Sequence, residues 1–224
     1  MILNFLFPRR CLGCGRWGQY FCQGCWRGAQ LVGTQICPTC RKGVVLGKTH
    51  LFCLKNHSLN GLISLFSYRG IVREAVKKLK YKHLTDLAEE LIEKSIGPAK
   101  SMAPHFQEIL LTPIPLHPRK ERKRGFNQAE VLGKLLAQKM GWQFLPDLLK
   151  RTRYTQSQTK LKGKQRLENV RGAFEVNDDY QNLSLKSCIF LFDDVWTTGS
   201  TLREGGRALK KAGVKEVWGL TLCR

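Results

Sequence analysis

The run CIFLFDDVWTTGST, from Cys188 to Thr201, sets two adjacent carboxylates between an apolar stretch and a loop of small hydroxyl residues. Each half has its own chemistry. A Gly-containing loop that opens a helix presents backbone N–H groups to an anion, and the helix N-terminus adds a favourable field. The hydroxyls of Thr197, Thr198, Ser200 and Thr201 can donate to phosphate oxygens. Carboxylates do not bind phosphate; Asp193 and Asp194 suit sugar hydroxyls, or Mg2+ and its waters. One ligand satisfies both halves if it has a phosphate at one end and a diol or metal at the other, as ribose 5-phosphate does. A P-loop is excluded, because no G-x-x-x-x-G-K-[ST] occurs.

A second chemistry lies at the other end of the chain. Seven of the nine cysteines fall in the first 53 residues, as Cys11-x-x-Cys14, Cys22-x-x-Cys25, Cys37-x-x-Cys40 and Cys53. Each C-x-x-C knuckle offers two thiolates to one tetrahedral ion, which is the signature of structural zinc. Seven thiolates leave one ligand missing for two four-coordinate sites. His50 supplies it through His50-x-x-Cys53, a knuckle spacing that His57 fits less well. The simplest pairing is sequential: Cys11, Cys14, Cys22 and Cys25, then Cys37, Cys40, His50 and Cys53. An interleaved pairing satisfies the same spacing. Cys188 and Cys223 sit in apolar, strand-like runs and read as buried bystanders.

The elements that must position these groups follow from apolar periodicity. Strands are expected at Leu62–Tyr68, Glu108–Pro115, Ser187–Phe192 and Glu216–Cys223. Helices are expected at Ile71–Tyr81, at Leu84–Ile96 with a stop at Gly97-Pro98, at Phe126–Met140 closed by Gly141, and at Thr201–Gly213. Strands alternating with helices predict an α/β fold around a mostly parallel sheet. Lys150–Arg171 is polar, basic and poor in apolar anchors, as a long loop would be. Residues 1–60 hold no Asp or Glu and no sustained apolar period, so that region needs metal as its staple. The expected division is 1–60, a double zinc-ribbon-like region, and 61–224, the α/β domain.

The 224 residues carry 38 Lys and Arg against 17 Asp and Glu, a formal charge of +21. Such a field favours polyanionic partners: nucleic acid, an anionic membrane surface or phosphorylated small molecules. No apolar run approaches the roughly 18 residues of a spanning helix. The start, MILNFLFPRR, has the reverse order of a secretory signal, so a cytoplasmic setting without a membrane span is expected.

The run Ile189–Thr201 resembles, residue for residue across Asp193–Thr201, the phosphoribosyl pyrophosphate (PRPP) motif of type I phosphoribosyltransferases. The resemblance implies that Asp193 and Asp194 hold the ribose hydroxyls and serve as the catalytic acids. It also implies that Val195, Thr197, Thr198, Gly199, Ser200 and Thr201 complete the PRPP site around the 5′-phosphate. Thr112–Ala137, Thr155–Phe174, Leu79–Lys82 and the cysteine knuckles together resemble the ComF family of competence-associated proteins over nearly the whole chain. That family joins a zinc ribbon to a phosphoribosyltransferase domain; here His50 stands where its fourth knuckle commonly has Cys. The implied pyrophosphate loop involves backbone near Pro115 and Leu116 with Arg119 and Arg124. The implied hood that closes over PRPP includes Thr155, Gln156, Lys160, Lys162, Arg166 and Asn169.

The function expected from these features is displacement of pyrophosphate from C1 of PRPP, with Mg2+, by an unidentified acceptor, in a protein linked to DNA uptake in natural transformation. The alternative is a non-catalytic protein that binds single-stranded DNA or partners a competence helicase and keeps the PRPP site as a sensor or scaffold. Trp17, Trp26, Phe126 and Tyr154, among basic neighbours, are the aromatic side chains that could stack on bases.

Overall fold

The computed structural model describes residues 9–81, 85–102, 106, 108–153, 168–180 and 188–224. A four-residue helix, α1 (Gln23–Trp26), and a small antiparallel hairpin, β1 (Gln35–Ile36) with β2 (Gly43–Val44), carry the N-terminal knuckles. The α/β part then runs β3 (Gly61–Phe66), α2 (Gly70–Tyr81), α3 (Thr85–Met102), β4 (Ile109–Pro113), α4 (Pro118–Arg124), α5 (Gln128–Met140) and β5 (Gln143–Phe144). It continues with β6 (Leu149–Arg151), β7 (Phe174–Val176), β8 (Cys188–Val195), α6 (Ser200–Lys211) and β9 (Glu216–Cys223).

Five strands pair in the order β3-β9-β8-β4-β5, every neighbour parallel. A parallel sheet is covered on both faces, so its strands are apolar throughout rather than alternating. In β8, Phe190 and Phe192 join one core with Leu111, Leu132, Leu136 and Trp218, while Ile189 and Leu191 join the other with Leu62, Leu149, Leu202 and Val217. The chain leaves β4 for β5 on one side of the sheet and leaves β8 for β9 on the other. The carboxyl ends of β4 and β8 therefore flank the point where strand order reverses, and open α/β sheets bind ligands in the crevice there.

Several local expectations are corrected. Gly97-Pro98 does not stop its helix; α3 runs on to Met102 with Pro98 inside it. Pro98 forfeits one ladder bond near the helix end, a penalty of about 3 kcal/mol in a helix interior. The buried stripe Leu91, Ile92, Ser95 and Ala99 continues past it and holds the last turn on the core. The strand expected at Ser187–Phe192 extends to Val195, so both aspartates belong to it. The basic run after Leu116 contains a helix, α4, with Pro118 in its first turn, His117 as N-cap and Gly125 in the left-handed conformation at its end. The expected long loop begins and ends in structure: β6 pairs antiparallel with β7, and 168–170 form a helical turn.

The N-terminal region covers the open edge of β3. Val32 N donates to Leu65 O at 3.0 Å, Ser67 N to Gln30 O at 2.8 Å, and the Gln35 amide brackets the Ser64 backbone at 2.9 and 3.0 Å. An edge strand otherwise presents unpaired backbone groups to other chains. Glu90 of α3 accepts from the backbone N–H of Tyr20 and Phe21 at 3.0 and 2.8 Å, and Trp26 packs edge-on between Phe21 and Phe66. Trp26 is thereby committed to the core, whereas Trp17 is 59% exposed with the Arg10 guanidinium 4.0 Å from its ring.

Candidate functional site: an acid pair, an anion loop and two metal centres

The metal ligands fall into two groups: Cys11, Cys14, Cys22 and Cys25, and Cys37, Cys40, His50 and Cys53, with the donor atoms of each group within 4.8 Å of one another. Sequential pairing is therefore the geometry present, and His57 is exposed outside both groups. Local turns produce this. Gly15 N donates to Cys11 O and Arg41 N to Cys37 O, both at 2.9 Å, folding each knuckle so that its thiols converge. Around the second site Val45, Leu51 and Phe52 are 81%, 88% and 80% exposed, so ligands rather than a hydrophobic core hold that turn together. A set of four thiols, and a set of three thiols with one imidazole, all supplied by the protein, fit structural Zn2+ and leave no open catalytic position. Cys188 and Cys223 are buried, and burial pushes both thiols up.

At the far end of the sheet, β8 delivers Asp193 and Asp194 side by side. Side chains alternate along a strand, so the two carboxylates have different surroundings. Asp194 is 8% exposed and is reached by Lys80 Nζ at 3.1 Å and by Gln128 Nε2 at 3.3 Å. Gln128 is bonded at its other end too, since Oε1 accepts from Arg124 Nη1. One amide thus links the acid pair to the end of α4. Asp193 Oδ1 accepts from Asp194 N at 2.9 Å. Burial, reinforced by the neighbouring Asp194 charge, pushes the Asp193 carboxyl up to about 8, with Lys80 opposing. Burial alone would lower Lys80, yet Asp194 and then Asp193 raise it overall.

The loop that follows is built around Trp196, which is 4% exposed and donates its backbone N–H to Cys223 O at 2.8 Å. Gly199 turns the chain with φ of 73°, and a Cβ there would lie 2.1 Å from the Trp196 ring. No other residue meets both demands. Thr198 Oγ1 and Ser200 Oγ are 2.9 Å apart at the start of α6, and residues 193 and 195–202 line a small concavity. Two carbonyls of the loop are taken by arginines, Gly199 O accepting from Arg203 Nε at 3.3 Å. Thr198 O accepts from Arg203 Nη2 at 2.9 Å and from Arg41 Nη2 at 2.8 Å.

The second side of the crevice is the end of β4. Ile114 N donates to Phe192 O at 2.8 Å and Asn127 Nδ2 to Ile114 O at 3.1 Å, which fixes Pro115 and Leu116 beside the acids' strand. Arg124 is tied to the acid pair through Gln128, whereas Arg119 is exposed on α4 near His117. Arg151 of β6 is drawn in as well: burial lowers it and Asp193 opposes that shift. Thr155, Gln156, Lys160, Lys162 and Arg166 lie outside the described residues, as does Tyr154. Lys80, Gln128, Arg151 and Arg203 were not singled out from the sequence. Lys80 lies in the Leu79–Lys82 stretch, Gln128 in Thr112–Ala137 and Arg151 in the basic run Lys150–Arg171, whereas nothing in the sequence marks Arg203.

Fold and site together define a parallel α/β arrangement with an acid pair and a hydroxyl-rich loop at its switch point, joined to a double metal-knuckle region. Residues 2–55 match the family described as double zinc ribbon domain. Across 98% of the chain and 99% of its own length, competence protein F of Haemophilus influenzae is 28% identical. The DNA utilization protein YhgH of Escherichia coli strain K12 is 27% identical over 95% of the chain and 93% of its length. The competence protein ComFC of Streptococcus pneumoniae is 26% identical over 91% and 87%. The chain is a homologue of the competence protein F, ComFC and YhgH proteins over nearly its full length. Among the described residues no helix is long and apolar enough to cross a membrane.

Proposed function

We propose that the protein binds PRPP with Mg2+ at the β4/β8 crevice and displaces pyrophosphate with an acceptor, in the service of DNA uptake or use. The observation that carries this reading is the adjacency of the two half-sites. Asp193 and Asp194 lie just before the last residue of β8, Val195, and the hydroxyl loop leading into α6 begins three residues after Asp194, at the switch point of a parallel sheet. In this reading residues 61–224 form the phosphoribosyltransferase-like domain and residues 1–60 its zinc module. The names competence protein and DNA utilization protein, borne by relatives that align along almost the whole chain, support the DNA role.

The residues fit the ligand part by part. Thr197, Thr198, Ser200 and Thr201 with the loop amides take the 5′-phosphate, while Asp193 and Asp194 take the ribose diol. The backbone at Pro115 and Leu116 with Arg124 and Arg119 takes pyrophosphate, since guanidinium groups engage phosphate oxygens two at a time. Breaking the C1–oxygen bond leaves positive charge on the sugar, and the Asp194 carboxylate, held by Lys80 and Gln128, favours that charge without reorganising. Mg2+ has hard oxygen ligands available in the same acids and supplies charge neutralisation of the leaving pyrophosphate. Lys80 holds Asp194 in place until the ligand arrives.

The experiment is calorimetric titration of PRPP with Mg2+ into wild type and Asp194→Asn, followed by a screen of nucleobases and amines for pyrophosphate release. Wild-type binding that the variant loses by at least about tenfold is expected; absence of wild-type binding sinks the reading. A second reading rests on the charge of +21: single-stranded DNA binding without turnover. It requires an affinity that falls steeply with salt, and a flat dependence refutes it.

A further inference from the structure

The turns Cys11–Arg16 and Cys37–Lys42 share their backbone bonding, yet one has glycine and the other arginine at its left-handed position. In the first, Cys11 N donates to Arg16 O at 2.8 Å and Gly15 N to Cys11 O at 2.9 Å. In the second, Cys37 N donates to Lys42 O at 2.9 Å and Arg41 N to Cys37 O at 2.9 Å. The residue after the second cysteine is left-handed in both, with φ of 76° at Gly15 and 64° at Arg41. Glycine is the natural occupant of such a position and arginine is strained there. Among the described residues only Arg41 and Leu46 are non-glycines with positive φ. Strain of this kind persists only where the surrounding structure over-determines it, as the two backbone bonds of this turn do, and it clusters at functional positions. The Arg41 side chain leaves the ribbon and donates from Nη2 to Thr198 O at 2.8 Å, a contact across 157 residues of sequence.

We propose that Arg41 is a positioning residue that ties the second zinc ribbon to the anion loop, so that the zinc held by Cys37, Cys40, His50 and Cys53 keeps Thr197–Ser200 in its anion-binding shape. The metal fixes the knuckle, the knuckle fixes the direction of Arg41, and Arg41 with Arg203 holds the Thr198 carbonyl. Arg203 donates to Thr198 O and Gly199 O at 2.9 and 3.3 Å from α6. With these carbonyls drawn toward guanidinium groups, the amides and hydroxyls of the loop stay turned to the ligand side. Two guanidinium groups on one carbonyl repel each other, and Arg203 is lowered by burial and by Arg41. An anion on the loop relieves that repulsion, which makes ligand and ribbon mutually reinforcing.

The loop's role as a ligand site rests on the proposed function, and the test separates the two. Zinc-loaded full-length wild type, Arg41→Gly and Arg41→Lys are compared by amide hydrogen exchange at residues 197–200 and by titration with ribose 5-phosphate. Arg41→Gly restores the residue of the first knuckle, so its thermal midpoint stays level or rises. Its exchange at 197–200 rises severalfold and its ribose 5-phosphate affinity falls about tenfold, within the usual range of coupling between sites. Arg41→Lys recovers part of both. Stripping zinc raises exchange at 197–200 in wild type and adds little in Arg41→Gly. Unchanged exchange in Arg41→Gly overturns the tether whatever the ligand proves to be, and an Arg41→Gly affinity equal to that of a wild type that binds overturns the positioning role. A wild type that does not bind ribose 5-phosphate refutes the loop as a phosphate site, while exchange still decides the tether.

Discussion

Replacing Asp193 by Asn is expected to stabilise the protein and disable it together. In the native state burial and Asp194 raise Asp193 from its ordinary value of 3.8 to about 8. The folded protein therefore holds this proton to higher pH than the unfolded chain does. Its contribution is most favourable at and below the ordinary carboxylate range and is lost as pH rises toward about 8. The gap of about four pH units, at ~1.4 kcal/mol for each, sets a ceiling of about 6 kcal/mol. Asp193 keeps partial exposure and shares its charge problem with Asp194 and Lys80, which screens the effect to roughly half. Asn keeps the shape and the amide acceptor without the charge. Urea unfolding of the zinc-loaded protein should show the variant about equal to wild type at pH 4–5 and more stable by about 2–3 kcal/mol near pH 8. PRPP affinity should fall at both. A variant less stable than wild type near pH 8, or a pH-independent difference, refutes the account of a buried, mutually repelling pair. Such a trade, in which the site is kept at a cost to stability, is common where ligands supply the missing partner.

Gly199→Ala forces a left-handed alanine, about 1–2 kcal/mol, and drives a methyl into the buried Trp196 ring 2.1 Å away, about 1–3 kcal/mol more; the unfolding midpoint should drop accordingly, and a shift under 1 kcal/mol would contradict the packing. Gln128→Leu leaves Asp194 and Arg124 without their shared amide and should cost about 1.5–3 kcal/mol, the usual loss for a hydrogen bond to a charged group. Chelation should release two zinc ions per chain, counted by native mass spectrometry, and abolish exchange protection near Cys37–Cys53 while β8 and β9 stay protected; persistent protection there would show a core the exposed Val45, Leu51 and Phe52 do not supply.

Much of this protein could be read before any coordinates. Thiolate spacing within knuckles is local, so eight metal ligands stood out at once, and the structure groups them in sequential order. Apolar runs and helical periods gave the parallel α/β arrangement, because burial on both faces makes a strand apolar throughout and burial of one helix face recurs at every third or fourth residue. Local rules failed where tertiary burial outweighed them. The buried stripe through Ala99 carried α3 past Gly97-Pro98, and sheet pairing with Thr221 and Cys223 extended β8 through Asp193 to Val195. The short helix α4 escaped notice because its seven residues bury nothing and show no apolar period.

The site divides the same way. Composition and spacing by themselves determined the metal knuckles, the acid pair and its hydroxyl loop, since each lies within a short contiguous stretch. Only the tertiary structure decided that Lys80 and Gln128 hold Asp194, that Arg124 is linked to it, and that Arg41 of the ribbon grips the loop 157 residues away. Those partners are set by strand order and helix packing, and a charge or amide carries no mark in the chain of what it will meet once the sheet has brought distant segments within hydrogen-bonding distance.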